Sequence, residues 1–147
     1  QASRSKNHFC GSSCSARYNN QHKTHGTRRS KLEVWLEKQL MTTYPDLIFH
    51  FNRTDAIEAE LDIYIPEVKL AFELNGIFHY EPIYGIDKLD RVLANDHRKM
   101  LACAERGIEL CVIDSSSMKV FKENGAKMFL QVLCQVLDGA ISRRCPQ

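Results

Sequence analysis

The sequence lacks any apolar run long enough to span a bilayer, and its first residues are polar rather than those of a secretory signal peptide. It also lacks internal repeats. These absences exclude a membrane-embedded protein and a repeat array. A hydrophobic share of 44% and a charged share of 26% over 147 residues are typical of one globular domain with a real core, carrying at most a small appendage.

A disulfide framework is also missing. Two of the six cysteines form a close pair near the N-terminus, and the other four are scattered through segments of helical or strand character. The six are Cys10, Cys14, Cys103, Cys111, Cys134 and Cys145. This usage predicts a reducing compartment, so we expect a cytoplasmic protein. The first residue is not Met, which leads us to expect a fragment of a longer chain.

Acidic residues are absent from the first 31 positions, whereas seven basic residues occur there. These are Arg4, Lys6, Arg17, Lys23, Arg28, Arg29 and Lys31. Residues 54–147 instead hold 11 basic and 15 acidic side chains, a balance of −4, although the whole chain carries +2. A basic arm on a slightly acidic body favours an anionic polymer as partner, and we expect double-stranded DNA; the alternative is a merely solubilising tail.

The arm also contains the run FCGSSCSARYNNQHKTHG, with Cys10 and Cys14, then His22 and His25. Four such ligands within sixteen residues can hold a structural Zn²⁺ tetrahedrally. The run also resembles the second half of a zinc ribbon of phage endonucleases, whose first cysteine pair lies upstream; on that interpretation no zinc is bound here. Residues 1–29 are therefore interpreted as a whole zinc-binding module or its remnant, and 30–147 as the main domain.

The remaining pattern predicts the order α-β-β-β-α-β-α, an α/β (α+β) fold with a small mixed central sheet flanked by helices. Ser30 and Glu33 form a capping box that opens the first helix, which ends before Tyr44-Pro45. Asp114 and the three serines after it are expected to cap the last helix. The other predicted elements are strands at 47–51, 60–65, 69–75 and 108–113, and helices at 87–106 and 118–137.

The stretch from Glu58 to Tyr80 predicts a hairpin with one apolar face and one face that carries carboxylates. A two-residue loop would set Glu60 opposite Glu73, whereas a four-residue loop would set Asp62 there. Either register brings two like charges together, which is destabilising without a compensating cation. A solvated acidic face is the alternative interpretation.

An ordered set of residues begins within this stretch and continues beyond it: Leu61-Asp62, Ala71 to Gly76 (AFELNG), His79-Tyr80, Asp96, Arg98, Leu101 and Gly107 to Leu110 (GIEL). Together these residues resemble the restriction-endonuclease-like fold. Within it they are most similar to the branch of very-short-patch mismatch-repair nucleases and phage homing endonucleases with an E-D-x-H-D signature. The resemblance covers about residues 30–115 and implies five catalytic residues: Glu33, Asp62, Glu73, His79 and Asp96.

The resemblance implies a DNA endonuclease that uses Mg²⁺ (or Mn²⁺) held by Asp62 and Glu73. The superfamily's usual lysine, two positions after the second acid, is replaced by Asn75, so His79 is expected to act as general base or to position the water. Asp96 is expected to orient His79 or the metal-bound waters. The predicted DNA contacts are Arg28, Arg29, Lys31, Asn75, Arg98 and Lys99.

Each predicted role has a structural alternative. Glu33 is fully explained by the capping box, His79 can simply fill a pocket after the turn, and Asp96 and Arg98 can belong to an exposed helical face. The preferred function is a phage-type homing endonuclease. The alternatives are a mismatch-specific or structure-specific nicking nuclease and a nuclease-like DNA-binding module that does not cleave. The last helix is a candidate homodimer surface.

Overall fold

The computed structural model describes residues 29–144, which contain three helices and four strands in the predicted order. The helices are α1 (Lys31–Thr43), α2 (Ile86–Glu105) and α3 (Glu123–Arg144), and the strands are β1 (His50–Arg53), β2 (Leu61–Ile65), β3 (Leu70–Asn75) and β4 (Glu109–Asp114). Short 3₁₀ turns, Pro66–Val68 and Ile77–His79, follow β2 and β3. The predicted zinc ligands, Cys10, Cys14, His22 and His25, lie outside the described residues, as does Arg28.

The strands form one mixed sheet in the order β1-β2-β3-β4, which confirms the predicted α+β class and mixed sheet. β1, β2 and β3 are antiparallel neighbours, and β4 lies parallel to β3. A parallel neighbour requires a crossover, and α2 provides it between β3 and β4. No helix among the described residues is long and apolar enough to cross a membrane.

The start of α1 follows from its first side chains. The Ser30 Oγ accepts the Glu33 backbone N–H at 3.1 Å, and the Ser30 hydroxyl donates to Glu33 Oε1 at 3.2 Å. This reciprocal pairing satisfies an N–H that has no partner inside the helix, as the predicted capping box requires. Leu32, Leu36 and Leu40 repeat at helical spacing, and all three are buried.

The hairpin between β2 and β3 has the four-residue connection. Ile65 pairs with Leu70 and Ile63 pairs with Phe72, so the same register sets Asp62, not Glu60, opposite Glu73. Lys69 closes the connection with φ 49°, in the left-handed region, and its N–H donates to the Pro66 carbonyl at 3.2 Å. Side-chain alternation allowed either a two-residue or a four-residue loop, and the structure has the four-residue loop.

The core lies mainly on one face of the sheet. There α1 and α3 pack against the apolar residues of β2 and β3, and Phe72 is completely buried. The other face carries a smaller cluster beneath α2, formed by Ile57, Leu61, Ala71, Cys103 and Ile108. The sheet is therefore sealed by two helices on one side and only partly covered by one helix on the other.

Two sequence-based boundaries and one predicted cap are corrected. The first strand begins at His50 rather than at position 47, because Leu47 and Phe49 pack on the core without joining the ladder. The last helix begins at Glu123 rather than Met118, so Asp114 does not cap it. The Asp114 side chain instead accepts the Ser116 N–H at 2.9 Å and closes a local turn.

The predicted burial of β4 is also wrong in part. β4 lies at the edge of the described sheet, and of its six residues only Ile113 is buried. Val112 projects on the α2 side, where the helix does not reach it, and is 49% exposed. Cys111 and Ile113 of this strand belong to the core with α1 and α3, whereas Leu110 packs on the cluster beneath α2. Its apolar side chains therefore serve both faces without full burial.

The packing of α1 yields a paired test of the core. Leu36 is fully buried, whereas Val34 on the same helix is 50% exposed. We expect Leu36→Ala to lower the free energy of unfolding by about 2–5 kcal/mol, since it leaves a cavity. Val34→Ala should change it by less than about 0.5 kcal/mol. Urea denaturation of both variants measures the difference, and equal losses would contradict the assigned face.

Candidate active site at the open end of the hairpin

The backbone pairing of β2 with β3 ends at Ile63 and Phe72. Beyond that point, two side-chain carboxylates accept backbone N–H groups of the opposite strand. The Asp62 backbone N–H donates to Glu73 Oε1 at 3.1 Å, and the Leu74 N–H donates to Asp62 Oδ2 at 2.8 Å. Each acid thus accepts a main-chain N–H of the opposite strand, in place of a ladder carbonyl. This exchange holds the two side chains together at the open end of the hairpin.

Both acids are largely withdrawn from water. Burial, then the neighbouring charge of Asp62, raises the pKa of Glu73 to about 7 against the opposing effect of Lys99. Burial also raises the pKa of Asp62, although the Leu74 N–H acts in the opposite direction. A buried and a half-buried carboxylate whose ionised forms are both disfavoured constitute a site that a cation would stabilise.

One cation already lies at this pair. Lys99 on α2 places Nζ 3.0 Å from Glu73 Oε2, and its side chain is 21% exposed. Burial alone would lower the pKa of Lys99, but the charge of Glu73 and the hydrogen bond to it outweigh that effect and raise the pKa. Lys99 is therefore charged at neutral pH, and it offsets one of the two acids.

A histidine–carboxylate pair lies beside the acids. His79, in the turn after β3, places Nδ1 2.7 Å from Asp96 Oδ2 on α2, and each side chain is 27% exposed. A carboxylate at this distance favours the tautomer in which Nδ1 carries the proton and donates it to Asp96. Nε2 is then the ring nitrogen with a lone pair, and it has no hydrogen-bond partner among residues 29–144.

Glu33 approaches the acids from α1. Burial, then the charge of Asp62, raises the pKa of Glu33, while its bond to Ser30 lowers it. Glu33 is therefore electrostatically coupled to Asp62 as well as being the capping residue. The capping role does not exclude a role in the site.

Arg29 supplies a second cation at the edge of this cluster, and its charge lowers the pKa of both Asp62 and Glu33. Its guanidinium pairs with Glu37. With the Asn52 amide oriented to satisfy its neighbours, Asn52 Oδ1 accepts the Arg29 Nε–H at 2.8 Å. Asn52 is buried in β1 with φ 52°, a conformation that asparagine adopts more readily than most residues.

The predicted site residues are therefore distributed as follows. The structure brings the five residues of the signature, Glu33, Asp62, Glu73, His79 and Asp96, to the open end of the hairpin. Of the predicted DNA contacts, Lys99 and Arg29 lie within ion pairs, and Asn75 is buried at 7% exposure. Lys31 and Arg98 are exposed.

Sequence reasoning missed the pairing of Lys99 with Glu73 and the contact between Arg29 and Asn52. The three-residue spacing from Asp96 to Lys99 is the signal that places both on one helical face. It does not reveal that this face is turned toward Glu73. Nothing in the sequence distinguishes Asn52 from an ordinary loop asparagine.

A groove of about 600 Å³ opens beside the cluster, between α2 and the segment 57–59. Its lining includes His79, Asp96, Arg98 and Lys99. The groove gives an extended ligand access to His79 and Lys99.

The donor set fits a divalent cation that prefers oxygen. Mg²⁺ is commonly held by one or two carboxylates together with water and substrate phosphate, and Asp62 and Glu73 supply two carboxylates side by side. Residues 29–144 contain no group of three or more His, Cys, Asp or Glu side chains arranged as metal ligands. Asp62 and Glu73 would thus hold the metal, and water and a phosphate would complete its coordination.

The raised pKa of Glu73 leads to a testable dependence of stability on pH. The ordinary value is 4.5 and the folded value about 7, so stability present below pH 4.5 is lost as pH rises through 7. In chelator, we expect the free energy of unfolding to fall by about 3 kcal/mol over that window, with Asp62 sharing the titration. Glu73→Gln should remove most of the fall.

The matched control for this experiment is Glu67→Gln, at an exposed glutamate in the turn after β2. It should leave the pH dependence of denaturant midpoints unchanged. An identical slope in wild type and Glu73→Gln would show that Glu73 is not the group that titrates.

Comparisons with known proteins identify no relative: no protein-family model matches the chain, and no curated protein matches it. No family membership is therefore established. The contacts among the carboxylates, the histidine and the lysine are the basis for inferring what the protein does.

Proposed function

We propose that the protein is a DNA endonuclease that depends on Mg²⁺ or Mn²⁺ and hydrolyses phosphodiester bonds in double-stranded DNA. One observation carries this proposal: two carboxylates, Glu73 buried and Asp62 half-buried, are held together at the open end of a hairpin, with a histidine–aspartate pair beside them. The finer assignment is a cytoplasmic, phage-type homing endonuclease with a restriction-endonuclease-like core. That assignment rests on the ordered residue pattern in the sequence.

The metal, when bound by Asp62 and Glu73, supplies charge stabilisation at the phosphate and lowers the pKa of a coordinated water. His79 Nε2 takes a proton from the attacking water, while Asp96 holds Nδ1–H and stabilises the imidazolium that forms. The water oxygen forms a bond to phosphorus, and the bond from phosphorus to the leaving oxygen breaks. Hydrolysis is complete when that oxygen is protonated.

Lys99 can contact a substrate phosphate while it keeps its hydrogen bond to Glu73. An ammonium has three N–H donors, and Glu73 Oε2 takes one of them. The other two are available to a non-bridging phosphate oxygen, as the predicted phosphate contact requires. Lys99 also reduces the repulsion between the acids and the approaching phosphodiester anion.

Exposed aromatic side chains support a nucleic-acid substrate. Phe78 and Tyr84 stack with ring centroids 5.1 Å apart, and they are 46% and 72% exposed. Tyr80 between them is 45% exposed, and His79 belongs to the same segment. Exposed aromatic rings are suitable platforms for stacking bases.

The same segment favours a second candidate function. Stacking on aromatic rings requires a base that is unpaired or easily unstacked, and such bases occur at mismatches and distorted sites. The exposed Phe78 and Tyr84 are thus consistent with the mismatch-specific or structure-specific nicking nuclease. Perfect and mismatched duplexes of the same sequence distinguish the two.

A DNA-binding module that does not cleave is a further alternative. Asp62 and Glu73 each accept a backbone N–H, so the two acids already have a structural role that does not require a metal. Metal binding distinguishes this alternative from an enzyme. We expect Mg²⁺ to raise the melting temperature of the wild type, and more at pH 8 than at pH 6, because protons compete for the two acids. Asp62→Asn should abolish the increase, and Glu67→Gln should keep it.

Cleavage itself is tested on supercoiled plasmid and linear duplexes with Mg²⁺ or Mn²⁺. We expect Asp62→Asn and Glu73→Gln to reduce the rate by roughly 10³-fold, since each removes part of the charge stabilisation of several kcal/mol. His79→Ala should lose about 10²–10⁴-fold. All three should bind duplex within about threefold of wild type, because none of them removes a lysine or arginine that contacts phosphate.

Three outcomes separate the alternatives. Intact plasmid and intact duplexes in the presence of wild-type protein and either metal, with binding retained, would assign the non-cleaving module. Cleavage that survives Glu73→Gln would remove the metal role of the pair. Absence of DNA binding at low salt would contradict the DNA substrate altogether.

A further inference from the structure

Helix α2 carries a row of exposed polar residues along one side. Lys88, Arg91, Asn95 and Arg98 are separated by three, four and three residues, the spacing that keeps side chains on one helical face. All four are exposed. We name these four residues the basic row. The row spans about 15 Å along the helix axis.

The basic row leads into the groove beside the candidate active site. Asn95 and Arg98 line the groove together with Lys99 and His79. Lys88 and Arg91 precede Asn95 and Arg98 by seven residues, or two helical turns, so they extend the same face by about 10 Å toward the N-terminus of α2. The row therefore continues the groove in one direction.

The cations of the row have no acidic partner within 4.0 Å among residues 29–144, unlike Lys99, which pairs with Glu73. Arg98 donates only to the Ala94 carbonyl of its own helix, at 3.4 Å. Glu58 and Asp96 line the groove and oppose an anion there, and Asp96 faces His79. Asp87 lies four residues before Arg91 and is a further acid at the outer part of the row.

The other exposed side of α2 has a different character. Leu93, Met100 and Leu101 are each about half exposed there, at 47%, 53% and 51%. The helix thus has three sides: one toward the site, one apolar and one basic. An anionic ligand that follows α2 is confined to the basic side.

We propose that the basic row binds the phosphodiester backbone of one DNA strand and guides it into the groove, so that the scissile phosphate arrives between His79 and Lys99. This inference rests on the proposed function and specifies where the substrate strand runs. The row carries three cations, so it can contact up to about three phosphates of one strand. The strand leaves the site past Lys88, toward the start of α2.

The test compares two variants that each remove two positive charges. Lys88→Ala/Arg91→Ala removes the outer half of the row, and alanine keeps the helix. Lys38→Ala/Lys127→Ala removes exposed lysines of α1 and α3 and serves as the matched control. The probe is a fluorescent 30-base-pair duplex in chelator, titrated by anisotropy between 50 and 300 mM NaCl, a design of roughly five salt points.

We expect the row variant to reduce the slope of log K against log salt by about 1.8, because two phosphate contacts are lost. If counterion release alone acts, its affinity at 0.15 M salt falls roughly 30-fold. The control should keep the wild-type slope. Hydroxyl-radical footprints should lose protection on one side of the cut only.

An unchanged slope in the row variant, or an equal loss in the control, would overturn the basic row while leaving cleavage and DNA binding intact. Wild-type protein that fails to bind duplex at any salt would instead remove the proposed function. Urea midpoints within error of wild type establish that both variants are folded. A row variant that unfolds is replaced by Lys88→Gln/Arg91→Gln, read in the same way.

Discussion

The crossed hydrogen bonds between Asp62 and Glu73 are the constraint on which the site depends. Each carboxylate accepts a main-chain N–H from the other strand where the ladder of β2 and β3 has ended. Backbone donors buried without a partner are costly, so this exchange stabilises the open end of the hairpin. The same geometry places two carboxylates side by side. Asp62 and Glu73 thus supply hydrogen-bond acceptors for two backbone N–H groups and also form the carboxylate pair of the candidate site.

Holding Asp62 and Glu73 together away from water is electrostatically unfavourable when both are ionised. Burial raises the pKa of both acids, the charge of Asp62 raises that of Glu73 further, and Lys99 and Arg29 compensate for only part of the negative charge. A group that is destabilising in the free protein and stabilised by a ligand is a common feature of binding and catalytic sites. Under the proposed function, a divalent metal would be attracted by both carboxylates and would offset the repulsion between them. Stability in chelator and stability in Mg²⁺ thus report on the same two side chains.

Much of the fold could be predicted because hydrophobic period and capping are local. The order of the elements, the Ser30–Glu33 capping box and the apolar face of the hairpin are confirmed. The placement of helix α2 was harder to predict. Leu93, Met100 and Leu101 on it are exposed, whereas Lys99 faces the sheet. The half-buried Lys99 is stabilised there by Glu73, a contact between residues 26 positions apart.

The sequence by itself determined which side of each strand Asp62 and Glu73 occupy, because side chains alternate with a period of two. It also determined that Asp96 and Lys99 share one face of a helix. Only the tertiary structure decided that the connection has four residues, so that Asp62 rather than Glu60 meets Glu73. The crossing of α2 over the sheet likewise decided that Lys99 neutralises Glu73. Periodicity specifies faces, whereas register and helix placement follow from the packing of the whole domain.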